Sequence, residues 1–157
     1  MKNTPIKSLV IPFAAAAALM LAGCTESPSE TAKDVSEARQ EAAEDSNEAR
    51  EDRSEEVAKA NEDVADAKHD VMHSDDGEMK KLTAAEAEAM TEKAKADFDV
   101  ATTDAEGRLN IATEKCDALS GVDKDACVST ANATFAADKA AATATRDAAL
   151  VRAGHHD

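Results

Sequence analysis

The stretch Cys116-Asp117-Ala118-Leu119-Ser120-Gly121-Val122-Asp123-Lys124-Asp125-Ala126-Cys127 sets two cysteines on either side of a turn, with ten residues between them. Ser120-Gly121 carries turn chemistry. Gly121 suits the left-handed position that follows a helix, and Asp123 is a fitting N-cap for the next one. The centre of the turn lies between Gly121 and Val122, equidistant from the two cysteines. If the flanking segments are helices folded back antiparallel, Cys116 and Cys127 face each other about one and a half turns from the bend. A redox motif places its cysteines on one helical turn, as C-x-x-C, and a thiolate metal site needs two further ligands that do not lie nearby in sequence. In an oxidising compartment a structural Cys116–Cys127 disulfide is therefore expected. Closing so short a loop contributes about 3 kcal/mol through chain entropy.

Outward from this turn the pattern is helical on both sides. Phe98, Ala101, Ala105, Leu109, Ala112, Cys116 and Leu119 recur at spacings of three and four, within a segment expected to run from about Glu78 to Leu119. Gly107 interrupts it, at a cost of about 1 kcal/mol relative to alanine. Beyond the turn, Val128, Ala131, Phe135, Ala142 and Ala149 mark the face of a helix running to about Arg152. Residues 78–153 thus read as an antiparallel helical hairpin.

Upstream, Ser74-Asp75-Asp76-Gly77 is a clear break, and residues 31–73 form an acidic, alanine-rich helix or stalk. Val35, Ala42 and Ala49, then Val57, Val64 and Val71, step by seven with Ala60 and Ala67 between them, which is a heptad signal. The step of eight from Ala49 to Val57 should disturb any supercoil there. Residues 26–78 carry nineteen acids against six bases, so like charges at i,i+4 (Glu44, Glu48, Asp52, Glu56) oppose an isolated helix.

The chain begins with Lys2 and Lys7, an apolar run from Leu9 to Ala22, and Leu21-Ala22-Gly23-Cys24. The basic leader and short apolar core read as an export signal, because roughly 20 apolar residues are needed to cross a bilayer. L-A-G-C resembles the lipobox of bacterial lipoprotein precursors. That resemblance implies removal of residues 1–23, acylation of Cys24 as the new N-terminus, and a short tether over residues 24–30. Thr25 follows the cysteine where an aspartate would imply inner-membrane retention, so the implied address is the outer membrane, facing the periplasm. Residues 101–140 resemble the C-D-x-L-x-G…K-x-x-C hairpin of small exported proteobacterial proteins, some of them labelled TolA-like, which implies no activity. A broader resemblance to the murein lipoprotein rests on the anchor and the alanines. The last residues here, His155-His156-Asp157, stand where that family carries the lysine that joins peptidoglycan.

Composition narrows the function. Without residues 1–23 the net charge of −15 becomes −17, which excludes phosphate-based nucleic-acid binding. There is no Trp or Tyr, and Phe98 and Phe135 are the aromatics outside the leader, so no ligand pocket or small-molecule substrate is expected. His69 and His73 stand at i,i+4 among aspartates, with His155 and His156 as further donors. They are the candidate ligands of an alternative reading, a periplasmic metal-binding or metal-stress protein. The pattern lacks the glutamate of the metalloprotease motif, and no cofactor is implied. The expectation is an all-α protein of long helices and a disulfide-closed antiparallel hairpin, in a three-helix or coiled-coil arrangement. Its expected role is non-enzymatic: a cell-envelope lipoprotein acting as a helical spacer or interaction module, with an envelope protein or a second copy as partner.

Overall fold

The computed structural model describes residues 26–72 and 77–154. The leader, Cys24, His73, most of the first turn, His155 and His156 lie outside the described residues. The chain is all-α, with α1 Pro28–Val71, α2 Gly77–Cys116 and α3 Gly121–Gly154. The first helix starts earlier than its alanine pattern indicated, because Ser27-Pro28-Ser29-Glu30 is a capping box. The Ser27 hydroxyl accepts from the Glu30 amide at 3.3 Å, and the Glu30 carboxylate accepts from the Ser27 amide at 3.0 Å. Pro28 fits the first turn, where a missing N–H costs nothing. Residues 28–30 of the expected tether are therefore helix.

The first segment does not stand apart as a stalk. It folds back antiparallel on α2, and α3 folds back antiparallel on the other flank of α2. Arg50–Asp104 at 3.1 Å and Lys68–Glu86 at 3.7 Å fix the α1–α2 register. Arg108–Asp138 at 3.0 Å and Arg146 lying 4.5 Å over the Phe98 ring fix that of α2 and α3. No Cα of α1 comes within 8 Å of α3 among the described residues. With α2 central, its apolar positions are split between two flanks. This explains why its sequence shows only one of them clearly.

The seam of α1 follows an eleven-residue repeat from Thr31 to Val64 and a seven-residue one from Val57 to Val71. Thr31, Val35, Ala38, Ala42, Ser46, Ala49, Arg53, Val57, Ala60, Val64, Ala67 and Val71 are all buried or half-buried. Positions eleven apart recur in the other helices as Ala94, Ala105 and Cys116, and as Ala131, Ala142 and Ala153. A heptad drifts about 20° in two turns of a straight helix, whereas an eleven-residue repeat drifts about 20° in three turns and in the opposite sense. Long, nearly straight helices thus stay in register. The step of eight is no disturbance, since Arg53 fills its midpoint and bonds Asp97 on α2.

The core is thin. Among the described residues the buried apolar ones are eight alanines with Val35 and Cys116, so each position removes little more than a methyl from water. Alanine and glycine compensate by letting helices approach closely. A Cβ on Gly107 would stand 2.7 Å from the Ala42 Cβ, which explains the glycine inside α2. The hairpin turn follows the sequence except at its edges. Leu119 lies beyond the end of α2 and is 40% exposed, Gly121 has φ of 55°, and α3 begins there rather than after Asp123.

Candidate functional site

Three features of this body bear on function: its cross-linked end and two opposed faces. At the cross-linked end the disulfide joins Cys116, which is fully buried, to Cys127, with Cα atoms 5.6 Å apart. Lys124 donates to Asp117 at 2.6 Å across the same turn, and this bond holds the ammonium pKa above its ordinary value. Glu26 lies close enough to add its charge to both Lys124 and Glu114. The start of α1 therefore sits beside the disulfide turn, and Cys24, outside the described residues, precedes Pro28 by four positions in the sequence. At about 1.5 Å per residue, the 44 residues of α1 carry the body about 66 Å from that end.

One face is acidic. Three grooves follow the α2 stripe from Ala85 to Asp117, with volumes of 270, 370 and 760 Å³. Fifteen carboxylates line them, against Arg53 and Lys59. At Glu114, partial burial and the charges of Asp117, Asp34 and Glu26 push the carboxyl pKa above its usual range. Such a group opposes folding at neutral pH, and the opposition fades as pH falls through its raised pKa. Glu114→Gln should raise the melting temperature by a few degrees at pH 7 and change nothing at pH 3. Equal shifts at both pH values would mean that charge is not the cause. Asp97 behaves oppositely. Burial would raise its pKa, but hydrogen bonds and charge from Lys93 and Arg53 hold it low, so its contribution is present above the ordinary aspartate range and is lost as pH falls through the folded value.

The other face is nearly neutral. The α2 positions Ala101, Arg108, Ala112 and Lys115 lie roughly half a turn around the helix from the acidic stripe. A groove of about 490 Å³ runs there between α2 and α3, walled by Leu109, Ala112, Ala126, Thr130, Ala131 and Phe135. The carboxylates on this side, Asp104 and Asp138, are paired with Arg50 and Arg108. Sequence reasoning identified Phe135 and Leu109 as seam residues. It missed the groove, because Thr130 and Thr134 carry no individual signal.

His69 lies exposed in the last turn of α1, its Nδ1 3.9 Å from Asp70. Among the described residues no group of three or more His, Cys, Asp or Glu side chains is placed to hold a metal ion. His73, His155 and His156 lie outside the described residues. No helix among the described residues is long and apolar enough to cross a membrane. Comparison with known protein families, with characterised proteins and with solved structures yields no match to this chain.

Proposed function

We propose that this chain is a non-enzymatic cell-envelope lipoprotein, a helical interaction module held to the outer membrane, on its periplasmic side, by acylated Cys24. The observation that carries the reading is the L-A-G-C sequence a few residues before α1, whose start lies at the disulfide end of the body. The L-A-G-C cysteine comes four residues before Pro28 in the sequence, and α1 starts at an end of the body rather than along its side. A lipid placed there stands the body on the membrane, and the strong negative charge keeps it off an anionic surface. The thin alanine core supports a binding or spacing role over catalysis, since chemistry needs a water-excluded pocket and oriented groups. The disulfide turn is the membrane-proximal end in this reading. The first turn, between α1 and α2, is the distal one.

The test is Cys24→Ser. The substituted chain should keep its leader, incorporate no labelled palmitate, and no longer partition with outer-membrane vesicles in the way the acylated chain does. Normal palmitate labelling and outer-membrane fractionation of the variant would end the anchor assignment.

A further inference from the structure

We infer that the neutral face is where this protein meets a second copy of itself: two α2–α3 hairpins pack face to face as a four-helix bundle, each seating α3 in the other's groove. This goes beyond the anchored module proposed above and does not depend on the lipid.

Charge selects the occupant. α1 carries fifteen acids and six bases, whereas α3 carries four of each. Two copies meeting through their acidic grooves would bring rows of carboxylates together, and like charges so juxtaposed oppose association. Meeting through α3 brings together two neutral helices. The groove beside them is bordered by Lys115 and by an Arg108–Asp138 pair that is already made.

The chemistry of the face permits burial. Thr130, Thr134 and Thr145 donate their hydroxyls to the carbonyls of Ala126, Thr130 and Ala141 at 2.8 to 3.0 Å. Covering them leaves no hydroxyl proton unpaired. Ala126 lines the groove, and the outer edge of α3 beside it carries exposed Ala133, Ala137, Ala140, Ala144 and Ala148, at the spacing that seats α1 on α2. Along the outer edge of α3, away from α2, Val122 is 83% and Val151 61% exposed.

The area is sufficient. α2 and α3 lie side by side from the disulfide to the level of Ala153, about 40 Å. With axes 8–10 Å apart, the face is about 20 Å wide and offers about 800 Å² per copy, the size of a standard specific interface.

Sedimentation of the full chain, expressed with its own leader and studied in density-matched detergent, tests this. The expected result is a protein mass of twice the monomer at micromolar concentration. Thr134→Arg should weaken association by about tenfold or more with helicity unchanged, because it buries an unpaired charge. Glu48→Arg, on the acidic face, should leave the dimer intact. A monomeric full chain, or a dimer indifferent to Thr134→Arg, overturns the inference. A dimer lost on Glu48→Arg instead would assign the contact to the other face and overturn it equally. Bound detergent reports the lipid separately: a chain that binds none contradicts the anchor without touching the dimer result.

Discussion

Cys116→Ser will lower the melting temperature by about 10 °C. The disulfide removes about 3 kcal/mol of chain entropy from the unfolded state, and for a domain of this size each kcal/mol moves the midpoint by roughly 4 °C. The remaining structure has little with which to offset the loss, since its largest fully buried side chain is Cys116 itself. Cys127→Ser should give nearly the same shift, because either substitution opens the same loop. Reduction of the wild-type chain should reproduce the loss, while leaving Cys116→Ser unaffected. Thermal melts by circular dichroism, with and without reductant, make the comparison. Reduction that leaves the wild-type midpoint unchanged would mean that the cross-link contributes nothing.

Gly107→Leu will weaken the docking of α1 on α2 by about 3 kcal/mol, at the upper end of what overpacking costs. Helix propensity alone predicts the reverse, since removing a glycine from a helix interior stabilises it by about 1 kcal/mol. The contact with Ala42 decides the sign, because even a single added methyl would stand 2.7 Å from the Ala42 Cβ. The smaller change Gly107→Ala separates the two effects. Alone it should destabilise. Combined with Ala42→Gly it should recover much of the loss, giving a coupling energy of about 1 kcal/mol in a double-mutant cycle. If Gly107→Ala raises stability and is indifferent to Ala42, the close approach of the two helices is not what the glycine serves.

Much of the fold was legible because turns are written in chemically distinctive residues. Ser120-Gly121 and the cysteine pair marked the hairpin, and the break before Glu78 marked the other reversal. What could not be read was which alanines face which neighbour. In α2, Ala94 and Ala105 lie on a seam buried separately from that of Ala96 and Gly107, and the alanine content blurs the two. The heptad positions are all buried or half-buried, but they are only part of the seam. Val35, Ala42 and Ala49 belong equally to an eleven-residue pattern, and the residues that distinguish the two, Ser46 and Arg53, are polar and so were not counted as seam. The capping box was missed because the polar residues 26–30 looked like tether, although Ser27 and Glu30 stand at the spacing that closes a helix start. Of the candidate site residues, the disulfide pair was legible from spacing. The neutral face was not, since it is defined by the charges that are absent from α3.

The eleven-residue repeat has a consequence for how such a body changes length. One repeat advances a helix by about 16 Å. α1 and α2 run in opposite directions at a fixed register, so lengthening one alone would slide every contact beyond the insertion. Growth therefore comes only in matched pairs of blocks, one inserted into each helix at the same height. Between the level of Ala153 and the first turn α3 is not involved, and two such blocks suffice. Reach is thus quantised in this architecture: matched blocks of seven or eleven residues return the seam to within about 20°, and lengths not built from them carry a rotated, mismatched seam.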